Sequence, residues 1–352
     1  MKNTVYKTTN AWELNPQWDR LCISYFQSRD FLHYLQQHNP SHQTYYELYK
    51  ADVLSAGAVV YSSKVNLLTF TKGKAAISIR VIGLPISISD GGLIGEKDSV
   101  NQLLNVILKN EKGLVLALNL PHNFDNHEVI TMRFLPSIVI DKNLNDWSSY
   151  KTSLRSSYRR RLRHLENKNS NTYIHTGSCK AFDHRHYYLY KQTLQRSKTK
   201  LETLSLDFFK HLPASFKLNS CFMDGALLYW NIVLHLKQKS YFCFGGIDYS
   251  YRDMYHSYHN NLLLALKDSI QNKSKELDLG QTAEVAKTRL GGLTNEKRMF
   301  LYHHNKVIFI FLKFIRKLLS YNVQPSIAHV FNDNRRTVDS VLHYCNQSTG
   351  DF

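Results

Sequence analysis

"FKLNSCFMDGALLYWNIVLHLKQKSYFCFGG", residues 216–246, decides the fold. Two runs of apolar and aromatic residues meet at Asp224-Gly225, a dipeptide that supplies the positive φ angles of a tight hairpin. A third run follows the polar turn Lys237-Gln238-Lys239. The stretch therefore predicts three antiparallel strands. A loop rich in Tyr and His then leads into "HNNLLLALKDSIQNKS", residues 259–274, whose apolar residues have helical spacing, and on into the apolar strand "ELDLG", residues 276–280.

The first half has the same order. "SRDFLHYLQQH", residues 28–38, reads as a short helix capped by Ser28 or Asp30. In residues 44–70, β-rich runs are separated by turns expected at Ala51-Asp52 and at Ser62-Ser63-Lys64. A helix over residues 99–110 and a strand over 113–121 follow. The expected fold class is α/β of the α+β type: two pseudo-duplicated domains, each with a mixed, largely antiparallel sheet flanked by helices. The meanders argue against a doubly wound parallel sheet. The expected bounds are 1–145, 146–306 and a helical tail, 307–352.

The formal charge is +17 and sits in the second half: residues 1–150 hold 14 Lys/Arg against 13 Asp/Glu, and residues 151–352 hold 31 against 15. Such asymmetry points to an anionic partner: nucleic acid, a phosphate-bearing cosubstrate or a membrane surface. The 43% hydrophobic content excludes a disordered chain. Five widely spaced cysteines without a C-x-x-C pair suggest neither a disulfide framework nor a zinc site. With no signal-peptide core at the N-terminus, a cytoplasmic location is expected. The apolar run Val307–Leu319 is interrupted by Lys313, Arg316 and Lys317, so it is too short and too charged to span a bilayer. Its basic amphipathic pattern also fits a helix lying on a membrane surface.

Three segments carry candidate chemistry. In "LDLGQTAEVAKTRLGG", residues 277–292, a strand breaks at Gly280 and presents Glu284, Lys287 and Arg289 at a sheet rim, which is either an anion site or an ordinary charged connection. In residues 245–266, Asp248, Tyr249, Tyr251, His256 and His259 lie between a strand and a helix. His256 or His259 fits a general base there, and the same residues also fit a cover over the helix start. Over residues 151–166, Leu154, Tyr158, Leu162 and Leu165 form an apolar stripe beside arginines that include Arg159, Arg160, Arg161 and Arg163. Those arginines suit several phosphates. The sequence contains no nucleophile elbow, H-E-x-x-H, P-loop, G-x-G-x-x-G or metal-ligand cluster.

Taken in order, the "SLRSSYRRRLR" helix, the meander, the Tyr-rich loop before a helix and "LDLGQTAEVAKTRLGG" resemble the GNAT acyltransferase superfamily, in its FemAB-like branch of tandem GNAT domains. The resemblance covers roughly residues 20–300. It implies two GNAT-like domains and an N-acyltransferase that moves an acyl or aminoacyl group from an activated donor to an amine. The donor would be an acyl-CoA, an acyl carrier or an aminoacyl-tRNA, used as a cosubstrate with no tightly bound cofactor. Lys287 matches the family's strand-end lysine and would stabilise an oxyanion or a donor phosphate. Arg159, Arg160 and Arg161 match the start of its arginine helix. Asp248 and His256 are candidates to take the amine proton, with Tyr249, Tyr251, Gly280, Glu284 and Arg289 around the substrate. One departure stands out: "YRDMYHSYHNN", residues 251–261, fills the place of a glycine-rich pyrophosphate loop. That departure favours aminoacyl-tRNA, a carrier-bound acyl group or an unusual acyl-CoA over acetyl-CoA. The alternative is a non-catalytic GNAT-like module that binds RNA or an anionic surface.

Overall fold

The computed structural model describes residues 3–39, 41–66, 76–141, 146–197, 202–324 and 327–332. Within the bounds 1–135, 201–203 and 296–323 they form one compact unit, and within 136–200, 204–295 and 324–332 a second, so the units are built from interleaved pieces of chain.

In the first unit, β1 (Asn3–Thr8), α1 (Trp18–Leu21), α2 (Arg29–His38), β2 (Gln43–Lys50), β3 (Val53–Asn66), β4 (Ala76–Ile82), β5 (Leu93–Gly95), α3 (Lys97–Asn110) and β6 (Leu114–Pro121) follow in order. β7 (Ile130–Asp141) carries the chain into the second unit, where α4 (Trp147–Ser153), α5 (Ser156–Lys168), β8 (Tyr173–Ser178), α6 (His184–Arg196), α7 (Leu206–Lys210), β9 (Phe216–Met223), β10 (Ala226–His235) and β11 (Lys239–Ile247) follow. Then come α8 (Ser257–Gln271), β12 (Glu276–Gln281) and α9 (Glu284–Thr288). β13 (Leu293–His303) returns to the first unit and leads into α10 (Lys306–Leu319).

Both units repeat one topology. In the first, β1 to β4 form an antiparallel meander, β6 joins β4 in parallel, and β13 pairs antiparallel with β6. In the second, β8 to β11 form the meander, β12 joins β11 in parallel, and β7 pairs antiparallel with β12. The duplicated mixed sheets expected from the sequence are present. Each unit thus takes its sixth strand from a distant part of the chain. Residues 296–319, read from the sequence as the end of the second domain and the start of a tail, lie in the first unit; residues 333–352 of that tail are outside the described residues.

Local chemistry explains the elements. Asp224 and Gly225 have φ of 49° and 79°, the left-handed pair that a two-residue hairpin needs, and Ala51 and Asp52 do the same at 47° and 64°. The turn expected at Ser62-Ser63-Lys64 does not form. Those residues stay inside β3, paired with Arg80, Ile79 and Ser78, because polar side chains without a residue suited to positive φ do not stop a ladder. Ser28 caps α2 by accepting from the Phe31 N–H. The core between α3 and its sheet holds Leu103, Leu104, Ile107 and Leu108. Its counterpart in the second unit holds Leu262, Leu263, Leu266 and Ile270 of α8 with Leu162 and Leu165 of α5. Each such side chain contributes about 1.5–3 kcal/mol of burial.

The arginine helix is shorter than its sequence pattern. The chain is extended at Leu154 and Arg155, splitting the segment into α4 and α5. Leu154 makes a β-bridge to Phe331, and the Arg155 N–H donates to the Val330 carbonyl at 2.9 Å, so a tertiary contact interrupts a helical pattern.

Candidate functional site

The site is set by a parting of strands. β11 and β12 pair only over Lys239–Tyr241 and Glu276–Asp278. Beyond that point β11 stays with β10 as far as Ile247, while β12 keeps to β7, where Gln281 faces Ser137. Parallel strands that separate towards their carboxyl ends open a crevice there, the usual ligand position in such sheets. α8 starts beside this opening. Its N-cap, His256, is held at a φ of 46° and no side chain caps the helix start. The helix dipole favours an anion at this end, while the first amide, the Ser257 N–H, already donates to the Arg252 carbonyl at 2.9 Å.

Around that helix start the structure gathers cationic side chains and imidazoles. The Arg161 guanidinium Nη2 lies 3.4 Å from His259 Nε2, and His256 Nε2 lies 3.3 Å from His164 Nε2. Burial and then the Arg161, His256 and Arg289 charges push the His259 pKa down to about 4. His256 is held below its ordinary value by burial, His164, Lys168 and Arg161, against a smaller opposing effect from Asp253. Burial and the nearby Arg289 lower the pKa of Arg161 itself. Positions 161, 164 and 168 follow one face of α5, beside the apolar face that carries Leu162 and Leu165. The scaffold is fixed by Asn260, whose side-chain amide donates to the Leu165 and Tyr255 carbonyls at 3.2 and 2.8 Å. Packing thus holds Arg161 beside the Arg289 charge and two imidazoles whose charged forms are disfavoured.

Lys287 is placed differently. Only 4% of it is exposed, and its ammonium donates to the carbonyls of Gly280 at 3.1 Å and Gln281 at 2.6 Å. Burial pushes its pKa down to about 7, with Asp278 and Glu284 opposing. It clamps a distorted strand end, where Gly280, Thr282 and Ala283 all have positive φ. Asp278 braces the same turn by accepting from the Gly280 N–H at 2.7 Å. The glycine pair closing the segment has a packing cause. A Cβ on Gly291 would strike the Phe331 ring, and one on Gly292 would strike Ile138.

The remaining residues anticipated from sequence are spread around the loop. Asp248 accepts from the Ser250 N–H at 2.8 Å and forms a turn at the end of β11; among the described residues no hydrogen bond joins it to His256. The Arg196 guanidinium stacks over the Tyr249 ring at 4.0 Å, and the Tyr251 ring lies 6.1 Å from that of Tyr255. Arg160 is exposed, and Arg161 is the member of the triplet that joins the cluster. Glu284 opens α9, and Arg289 follows that helix. His164 and Lys168 were missed from sequence, although their spacing from Arg161 was a readable signal. Ser220, His186 and Asp183 are also joined, with Ser220 Oγ 2.9 Å from His186 Nε2 and Asp183 2.6 Å from Nδ1. That serine is 2% exposed and the aspartate caps α6, so this chain of bonds is part of the scaffold.

Two units that each run antiparallel meander, helix and parallel strand, with the parallel pair of the second parting at its carboxyl ends, define the tandem GNAT fold. Solved structures agree. FemX superposes with a TM-score of 0.54 at 11% identity, over 89% of this chain and 100% of its own. L-PGS from Bacillus licheniformis gives 0.52 at 10%, over 83% and 93%. A tandem GNAT protein from the clavulanic acid biosynthesis pathway, solved without AcCoA, gives 0.51 at 9%, over 86% and 98%. No protein-family model matches the chain, and no curated protein matches it.

Proposed function

We propose that the chain is an N-acyltransferase that moves an acyl or aminoacyl group from a phosphate-bearing donor to an amine, in the crevice between β11 and β12. The observation that carries this reading is the cluster of three cations, Arg161, Lys168 and Arg289, with the imidazoles of His164, His256 and His259 at the start of α8. Arg161 and Arg289 grip the donor phosphate. The acceptor nitrogen attacks the donor carbonyl, a C–N bond forms, and the C–S or C–O bond to the donor breaks. His256, neutral near pH 7 because burial and neighbouring cations disfavour its charged form, takes the amine proton and returns one to the leaving group. No covalent enzyme intermediate is needed; positioning and electrostatics supply the rate. Lys287 holds the end of β12 in shape, and Asp248 anchors the loop.

Aminoacyl-tRNA ranks ahead of acetyl-CoA as donor. Residues 251–256 all bear side chains, and the Ser257 N–H already donates to the Arg252 carbonyl at 2.9 Å. The grip on phosphate therefore passes from bare backbone to side-chain cations, which suits phosphodiesters and makes binding salt-dependent. The similarity to FemX and to a tandem GNAT protein supports the class of reaction through the fold.

The test is discharge of a donor panel (acetyl-CoA, long-chain acyl-CoA, aminoacyl-tRNA) in the presence of a primary amine. One donor should yield amide. His256→Gln should lower kcat about 10²–10⁴-fold, the range for a general base. Absence of amide with every donor, combined with equal binding of charged and uncharged tRNA, would leave a binding module.

A further inference from the structure

α10 has two apolar faces. Leu312 and Leu319 are buried in the first unit's core, with Phe309 and Ile315 packed against it. On the other side Val307, Phe311, Phe314 and Leu318, spaced four, three and four residues apart, form a second stripe with Ile310 beside it. All are exposed, Val307 at 75% and Phe314 at 83%. A helix needs one such face to join a core. The second has no cover among the described residues. Asn305 caps the helix by accepting from the Val307 and Ile308 amides, so the segment is a formed helix, about 21 Å long at 1.5 Å per residue.

The charges beside this stripe have one sign. At 100° per residue, Lys306, Lys313 and Lys317 line one edge of the exposed arc, where their stems can lie along it with the ammonium groups outward. Residues 297–332 contain six Lys/Arg and no Asp or Glu. An apolar stripe edged by lysines matches the boundary of an anionic bilayer, with the aromatic and aliphatic side chains among the acyl chains and the lysines among the headgroups. A protein groove would instead require carboxylates at one edge only and a shape complementary to a projecting phenylalanine pair.

We propose that α10 docks the chain on an anionic membrane surface, with Val307, Phe311, Phe314 and Leu318 inserted and Lys306, Lys313 and Lys317 at the headgroups. The proposal stands apart from the transferase reading, since it uses no residue of the crevice. The experiment is co-sedimentation of the full chain with vesicles of phosphatidylcholine alone and of phosphatidylcholine with 30% phosphatidylglycerol, at low and high salt, beside light scattering of the chain without lipid. Binding should require phosphatidylglycerol and weaken at least tenfold at high salt. Phe311→Ser/Phe314→Ser and Lys313→Glu/Lys317→Glu should each reduce it at least tenfold, with unchanged circular dichroism. Equal affinity of both double variants and the parent would overturn the proposal. So would a concentration-dependent dimer that the Phe311→Ser/Phe314→Ser change abolishes, combined with no vesicle binding, because the stripe would then belong to a second copy.

Discussion

At the scale of residues, like charges are held close together beside the start of α8. Arg161 and Arg289 each disfavour the charged form of His259, and the Arg289 charge also lowers the pKa of Arg161, so the two guanidinium groups repel each other. Arg289→Ala should leave the unliganded chain as stable or more stable, by up to about 1 kcal/mol, while weakening donor binding about tenfold, as loss of a charge-assisted hydrogen bond does; calorimetric titration and thermal melts read both. The histidine fixes a pH window. Its folded pKa of about 4 lies below the ordinary 6.5, so between those values the unfolded chain takes up a proton that the folded site refuses. Stability should fall as pH drops from 6.5 to 4 and lose nothing more from this group below that. A bound phosphate reverses the balance, so donor binding should take up protons and strengthen as pH falls through the same window; titrations in buffers of different ionisation enthalpy count them. Lys287 has the opposite end of the scale: with a folded pKa of about 7 against 10.5, it adds stability as pH rises from 7 to 10.5. Lys287→Met should remove that rise and cost about 1–3 kcal/mol by leaving the Gly280 and Gln281 carbonyls without their donor.

At the scale of elements, the sequence disclosed periodicity well and tertiary interruption poorly. α8, β12 and the Asp224-Gly225 hairpin were legible because leucine spacing, an apolar run and a left-handed turn pair are local signals. The break at Leu154–Arg155 was not, since its cause is a backbone partner near residue 330. The cluster was half legible. Arg161, His256 and Arg289 stood in conspicuous segments, whereas the convergence of α5 on the start of α8 depends on Asn260 reaching the Leu165 carbonyl. The inward turn of Lys287 depends on two carbonyls freed by a distorted strand end, and no spacing announces that. The glycine pair, by contrast, has a cause that can be tested: Gly291→Ala brings a methyl against the Phe331 ring at a φ of 88° and should cost about 1–3 kcal/mol, read as a lower thermal midpoint.

At the scale of the whole molecule, duplication was readable in the repeated order of strands and helix, but the exchange of sixth strands was not, because composition does not name a strand's partner. β12 takes β7 as its neighbour, and β6 takes β13. A fragment limited to residues 146–306 lacks β7 and leaves β12 with an open edge, so it should aggregate, while a chain that retains residues 130–145 should be more soluble; light scattering of the two fragments decides this. The concentration of charge, 31 Lys/Arg against 15 Asp/Glu in residues 151–352, favours the approach of anions to this half of the chain. In the proposed function, Arg161 and Arg289 bind the donor beside α8. The most direct measurement is the thermal midpoint of the parent and of Arg161→Ala/Arg289→Ala with charged tRNA, uncharged tRNA, acyl-CoAs and heparin, at two salt concentrations. One activated donor should raise the parent's midpoint by mass action more than its discharged form does, and the double variant should lose this rise. An equal rise in both proteins, or the same rise with every polyanion, would contradict the proposed function.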